Sequence, residues 1–354
     1  MLITCGGLRT DYIITHRGEI RLMQMGGNAV FSAFGARPWL KQPNEIALLA
    51  RIGDNYPQGW LDDLRLAGFF VGGVRNVGGI QDQRTFFAYL DENTRVDTNP
   101  AAHFDQLGLP IPPELTGYVN STPGQDDVHR YEPLAVTPED LGLLCMALAG
   151  EPSLKQDVAT QRFDFQRTTA LHIAPISIRT QQDLPAAARK LGVSVVSVDP
   201  GERTMVPGLR THMENVLSQI DIFMPSDQEV NSFFPDEDMD VNECARWFAA
   251  RGPGIVVIKL GSDGVYVYQR SDERAWHVPA LPVRVVDVTG AGDAFCGGFM
   301  ADFVQHGDPV RAAVTGTVSA SFAVQDYGAL HMLAAQETEI DHRAAYLRGL
   351  VREV

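Results

Sequence analysis

VVDVTGAGDAFCGGF, residues 285–299, is the stretch on which the reading of this chain turns. The β-branched run ahead of Thr289 predicts a strand, VRVVDV over 283–288. TGAG then forms the turn, and a helix runs from about 291 to 305. The first N–H groups of a helix lack intrahelical partners and carry the positive end of its dipole. Gly290 and Gly292 have no Cβ, so an anion can approach the backbone closely. Asp293 falls in the first helical turn, where a carboxylate stays ionised and can take a proton from a nearby hydroxyl. Ala294, Gly297, Gly298 and Ala301 keep one helix face small enough for close packing. Read as chemistry, Gly290, Ala291 and Gly292 offer donors to a transferred phosphoryl group, and Asp293 offers a base to the attacking alcohol. Read blandly, this is a glycine turn with an acidic residue in the first helical turn, a common arrangement.

Other nucleotide and catalytic motifs do not fit. A dinucleotide-binding GxGxxG needs a third glycine at 295, where Phe295 stands, and no GxxxxGK[ST] occurs. GxSxG, HExxH and zinc-spaced Cys/His clusters are missing as well.

Outward from this stretch, apolar runs alternate with amphipathic ones. Strands are predicted at MLITC, EIALLARIG (45–53), TALHIAP (169–175), VSVVSVDP (193–200), DIFMP (221–225) and GIVVIKLG (254–261). Helices fall between them, at GGNAVFSAFGARPWL, QGWLDDLRLAGF, QQDLPAAARKLG, THMENVLSQI, SDQEVNSFF and NECARWFAARG. GVYVYQ and RAWHVPA read as an antiparallel edge, and a last helix covers about 309–325. Strand–helix alternation of this kind implies an α/β fold, a doubly wound, mostly parallel sheet flanked by helices, with ligands at the carboxyl ends of the strands. Two hairpins, at about 9–25 and 80–97 (tip Asp91-Glu92-Asn93), stand outside the alternation and predict a small β layer. Residues 97–168 are rich in Pro, Gly and Asp and show one helix, 137–150.

The 354 residues carry 45% apolar side chains and a formal net charge of −15. A field that negative disfavours nucleic acid, and any anionic ligand needs a local site that overcomes it. Cys5, Cys145, Cys244 and Cys296 are scattered and read as reduced thiols. The N-terminus lacks a signal-peptide pattern, and the longest apolar run, 141–150, is too short to span a bilayer. A cytoplasmic protein is expected. The sequon at Asn120 then carries no weight.

DVTGAGDAFCGGF resembles the C-terminal signature DTxGAGD of the ribokinase-like (PfkB-type) carbohydrate kinases. Further pieces follow in that family's order: Asp11 after the opening strand, the pair Gly26-Gly27, IGDNYPQG (52–59), VDPGER (198–203) and KLGSDGVYV (259–267). The resemblance spans the chain except roughly 97–168 and implies one domain over 1–354 whose hairpins form a lid. It implies an ATP-dependent kinase acting on a hydroxyl of a sugar, sugar acid or nucleoside. Asp293 would be the base and the Gly290–Gly292 turn the anion hole. Lys259, Gly261, Ser262, Gly264 and Ser226 would serve ATP, and Asp11, Gly26, Gly27 and Asn28 the acceptor. Glu229 would organise Mg2+ through water, and Asp287 and Thr289 would belong to a K+ loop that also uses carbonyls near 323–328. A homodimer through the lid is a further implication. Two residues depart from the pattern. Ser226 stands where NxxE has Asn, and Phe31 stands where the N-terminal motif has Asn, leaving Asn28 as the substitute donor. Those departures also suit a second reading, a non-catalytic ligand-binding or regulatory relative.

Overall fold

The computed structural model describes residues 1–15, 18–90, 95–97, 99–118, 132–151, 169–235 and 237–354. The tip of the second predicted hairpin and the sequon at Asn120 lie outside the described residues.

Among the described residues, fourteen strands form two sheets. The main-sheet strands are β1 (Leu2–Cys5), β4 (Ile46–Ile52), β5 (Phe70–Asn76), β8 (Ala170–Ile173), β9 (Val195–Val198), β10 (Ile222–Phe223), β11 (Ile255–Lys259), β12 (Val265–Gln269), β13 (Arg274–Val278) and β14 (Arg352–Glu353). Their spatial order is β14-β13-β12-β11-β10-β9-β8-β1-β4-β5. From β5 to β11 every pairing is parallel, and β12, β13 and β14 add an antiparallel edge. Helices lie between them: α1 (Asn28–Ala36), α2 (Gln58–Leu66), α3 (Pro100–Gln106), α4 (Pro138–Gly150), α5 (Ile178–Lys190), α6 (Arg210–Leu217), α7 (Asp227–Phe233), α8 (Val241–Ala249), α9 (Ala291–His306), α10 (Pro309–Ala323) and α11 (Glu337–Arg348). Alternate residues of one strand serve two cores. Ile46, Leu48 and Ala50 pack with α1, α9 and α10, while Ala47 and Leu49 pack on the opposite face. This two-sided burial is why the parallel strands read as continuous apolar runs. No helix among the described residues is long and apolar enough to cross a membrane.

The two predicted hairpins form the small sheet, β3 (Ile20–Gly26), β2 (Arg9–Ile14), β6 (Arg84–Tyr89) and β7 (Arg95–Asp97) in spatial order, joined by a parallel β2–β6 pair. Side chains alternate across it. Tyr12, Ile14, Phe86 and Ala88 pack beneath Phe104 of α3, Leu115 and Tyr118. Ile13, Phe87 and Tyr89 face the other way, toward Val288 and Tyr327. Part of the segment that was illegible in the sequence therefore roofs the lid.

Three elements differ from expectation. VRVVDV is not a strand. It joins no sheet, and the N–H groups of Val286 and Asp287 go to the Val324 carbonyl at the end of α10 (2.7 and 3.2 Å). Local β propensity was real there, but no neighbouring strand was available to pair with it. Strand β5 was hidden by Gly72-Gly73. A Cβ at Gly73 would overlap the Leu48 carbonyl of the adjacent strand, so the glycine marks a close approach of backbones. Helix α11 shows apolar positions at 340, 344 and 347, a helical spacing left unassigned in the sequence.

Small residues set the crossing of α1 and α9. A Cβ at Gly35 would overlap the Ala294 backbone, and one at Gly297 would overlap the Ser32 carbonyl. Gly297→Ala should therefore lower stability by about 1–3 kcal/mol, the usual cost of forcing an extra carbon into a packed core. Urea unfolding should show a lower midpoint at unchanged slope, and an unaltered midpoint would mean that the helices are not in contact there.

Candidate active site

Helix α9 begins where the sequence placed it. Gly290 is its N-cap, at φ 75° in the left-handed region, so Ala291, Gly292 and Asp293 occupy the first turn. The Ala294 N–H closes onto the Gly290 carbonyl at 2.8 Å. Ala291 bends its N–H back to the Val288 carbonyl at 3.3 Å, so this expected anion donor is partly engaged. The amides of Gly290 and Gly292 make no hydrogen bond to another described residue.

Asp293 is half-buried at the rim of a cavity of about 430 Å³. Asn28 Nδ2 donates to both of its oxygens, at 3.2 and 3.3 Å. Asn28 opens α1 behind Gly27, whose φ of 103° suits glycine. The expected substitute donor therefore holds the Asp293 carboxylate itself. Phe31 takes the other side of the turn, with its ring where a Cβ of Gly290 would lie. Gly290 is thus required both by its backbone conformation and by this ring. Asp11 lines the same cavity and is buried, and Gly26 makes room for its carboxylate, since a Cβ there would overlap Oδ2. Gly27, Asn28, Thr289, Gly290, Asp293 and Glu229 share this cavity, which therefore gathers both acceptor-side and catalytic candidates.

Lys259 does not end an edge strand, because β11 lies between β10 and β12. Its ammonium is paired with Asp199 and sits 3.4 Å from where a Cβ of Gly292 would be, against the anion-hole turn. Burial pushes the ammonium's pKa down, but Asp199, helped by Cys296 and Glu229, holds it above the ordinary lysine value. Lys259 is therefore a fixed positive charge beside the turn. Asp199 Oδ1 is buried and has no hydrogen-bond partner among the described residues. Glu229 closes a capping box at the start of α7: its Oε2 accepts the Ser226 N–H at 2.6 Å, and Ser226 Oγ accepts the Glu229 N–H at 3.2 Å. Burial, with Asp199 adding, pushes the Glu229 carboxyl up to about 7 against the opposing Lys259 charge and the Ser226 bonds.

Gly261, Ser262 and Gly264 lie in the β11–β12 connection, outside this cavity. Gly264, at φ 95°, passes so close to Val278 that a Cβ would overlap its carbonyl. Asp287 is buried, and its Oδ1 accepts from the Tyr89 hydroxyl and from the Thr289 N–H at 2.8 Å. Its Oδ2 has no hydrogen-bond partner among the described residues.

Sequence reasoning missed Arg51, Arg179 and Arg203 of the cavity wall, which Arg9 also lines. Arg51 is committed to buried Asp140 at 2.7 Å, and Arg179 lies 3.7 Å from both Glu132 and Asp183. Arg9 shares a strand face with Asp11, two residues on. Gly7 leaves a notch for it, since a Cβ there would come within 2.9 Å of Arg9 Nε.

A doubly wound sheet with a separate small sheet, and a glycine turn carrying a carboxylate at its edge, define a class of α/β small-molecule kinase folds. Giardia lamblia ribokinase has this fold, at a TM-score of 0.70 and 15% identity over 98% of this chain and 99% of that one. Residues 146–336 match the pfkB family carbohydrate kinase description, and the chain belongs to that family. It is 33% identical over 144 residues to the cytidine kinase of Thermococcus kodakarensis, covering 40% of this chain and 50% of that protein. It is also 33% identical over 170 residues to the ATP-dependent ribose-1-phosphate kinase of Halopiger xanaduensis, covering 47% and 53%. The chain thus spans about half the length of the curated relatives it matches.

The raised Glu229 carboxyl has a measurable consequence in metal-free buffer. Its folded pKa of about 7 exceeds the unfolded value of 4.5, so the stability it contributes is present below 4.5 and is lost as pH rises through 7. Glu229→Gln removes that loss. Between pH 5 and 8 the stability of the variant relative to the parent should rise by about 1–3 kcal/mol. Denaturant unfolding at the two pH values measures it, and a pH-independent difference would refute the buried carboxyl.

Proposed function

We propose that the chain is an ATP-dependent phosphotransferase that phosphorylates a hydroxyl of a sugar, sugar acid or nucleoside. The observation that carries this reading is Asp293, held by Asn28 at the cavity rim, beside the unengaged amides of Gly290 and Gly292. The acceptor hydroxyl gives its proton to Asp293 as its oxygen bonds to the γ-phosphorus of ATP. The bond from that phosphorus to the β–γ bridging oxygen breaks, and ADP leaves. Charge on the equatorial oxygens is met by the two glycine amides and by Lys259 close by. Asp11 binds acceptor hydroxyls, and the small sheet excludes water.

Ser226 and the 261–264 turn serve the nucleotide in this reading. Mg2+ suits the hard oxygen donors Asp199 and Glu229, the first with a buried unpartnered oxygen, and it would neutralise phosphate charge. K+ suits the Asp287 loop, where Oδ2 is likewise buried and unpartnered, with Thr289 beside it. The lid face that carries Tyr12, Ile14, Phe86 and Ala88 is roofed by α3, Leu115 and Tyr118 of the same chain, and we favour a self-covered lid over a lid-mediated homodimer.

An ADP-release assay over sugars, sugar acids and nucleosides, with Mg2+ and K+, tests the activity. Asp293→Asn should lower kcat by about 10²–10⁴ with little change in KM for ATP, the range expected on losing a general base. ATP binding by calorimetry without turnover on the whole panel would favour the non-catalytic reading, for which Phe31 and Ser226 are the motivation.

Arg9, seated in the Gly7 notch beside Asp11, favours acceptors that carry a carboxylate or phosphate. Arg9→Gln should raise KM for such acceptors about tenfold or more, the worth of a charge-assisted hydrogen bond, and leave neutral acceptors nearly unchanged. Equal losses on both classes would reduce Arg9 to a structural residue.

A further inference from the structure

Tyr89 belongs to the small sheet, yet its hydroxyl is bonded within the loop that leads into the anion-hole turn. It donates to Asp287 Oδ1 and accepts the Val288 N–H at 3.0 Å. The side chain is 6% exposed, so both bonds lie in a dry seam. Burial, with Asp287 adding, pushes the phenol above its ordinary range, which keeps the hydroxyl a donor. Ile13, Phe87, Val288 and Tyr327 close the seam around it. Arg21 of β3 sits 5.2 Å above the Tyr327 ring, a second contact of the small sheet, made with the segment that follows α10. From behind, the loop is held by the bonds of Val286 and Asp287 to the Val324 carbonyl. The loop is therefore clamped between the lid and the end of α10, two residues ahead of Gly290.

We propose that Tyr89 is a positioning residue that makes seating of the lid and ordering of the Asp287–Gly290 loop one event, and that a monovalent cation at Asp287 Oδ2 acts on the lid through it. The inference rests on the phosphotransferase reading for its purpose, though not for its test. If the lid lifts, Asp287 Oδ1 and the Val288 N–H lose the same partner together, and a buried carboxylate is left less satisfied. A cation on Oδ2 favours the ordered loop, and by linkage it must favour the seated lid to the same degree. A tyrosine that merely filled space would transmit nothing.

Hydrogen exchange read by mass spectrometry, in potassium chloride against choline chloride at equal ionic strength, tests this with the cation alone. In the parent protein, K+ should slow exchange about tenfold or more in both 285–290 and 84–89, the size of a typical coupling between sites. Tyr89→Phe should abolish the response of 84–89. Asp287→Asn, which keeps the Oδ1 acceptor, should abolish it in both segments, and the double variant should lose no more than Asp287→Asn alone. Should Tyr89→Phe fail to fold by circular dichroism, Asp287→Asn still decides the matter through the lid segment. A parent lid indifferent to K+, or a Tyr89→Phe lid that responds like the parent, overturns the proposal. An absence of ADP release, by contrast, sinks the phosphotransferase reading and leaves this exchange result to be judged by itself. Where turnover is found, Tyr89→Phe should raise the K+ concentration for half-maximal rate about tenfold and leave KM for ATP unchanged.

Discussion

The crossing of α1 on α9 is the constraint on which the site depends. Gly35 and Gly297 let the two backbones meet where any side chain would collide. Three consequences follow from that single closeness. Asn28, at the start of α1, reaches the carboxylate at the start of α9. Phe31, one turn along α1, lies against Gly290 and fixes the left-handed turn from outside. Both helix starts open on the same cavity. The proposed base would be useful only if its oxygens are aimed, and here the carboxylate is held by packing between two helices rather than by the loop that precedes them.

On the phosphotransferase reading, a chain with a net charge of −15 must hold an anion against its own field. The answer is local. Lys259, its side chain only 12% exposed, stands against the turn, and Asp199 keeps it charged instead of neutralised. An ion pair buried this way adds little stability by itself, because desolvation offsets most of the attraction. Its value lies in putting permanent positive charge against Gly292, where dipoles alone would have to act. Glu229 joins the cluster with opposite logic: burial, with Asp199 adding, raises its carboxyl pKa, so on the proposed reading a hard metal bound there would favour its deprotonation.

What was legible in the sequence was whatever is encoded within a few residues. GAGD shows itself because the turn and the base are consecutive, and the parallel strands show themselves because burial on both faces removes the polar alternation. The site's supports were not legible. Asn28 and Asp293 are 265 positions apart, and Tyr89 and Asp287 are 198 apart, so no local pattern announces either bond. Phe31 looked like the loss of a sugar-binding donor. In the fold it is a wedge beneath Gly290, a role visible only once the helices are crossed. VRVVDV was misread for the complementary reason: its composition suits a strand, but strand formation needs a neighbour, and its amides found a helix end instead.

That misreading bears on how the site works. A strand in the middle of a sheet is held on both sides and cannot be adjusted. A free loop hung between the Val324 carbonyl and one lid tyrosine can be, and it stands immediately before the turn that would receive the phosphoryl group. The Val288 N–H has its partner in that tyrosine, so a lifted lid would leave the loop one bond short. Roofing of the opposite lid face by α3 means that the same chain both supports the lid and answers to it. On the phosphotransferase reading, transfer to an uncovered acceptor is disfavoured by this geometry, since the turn leans on the element that would exclude water.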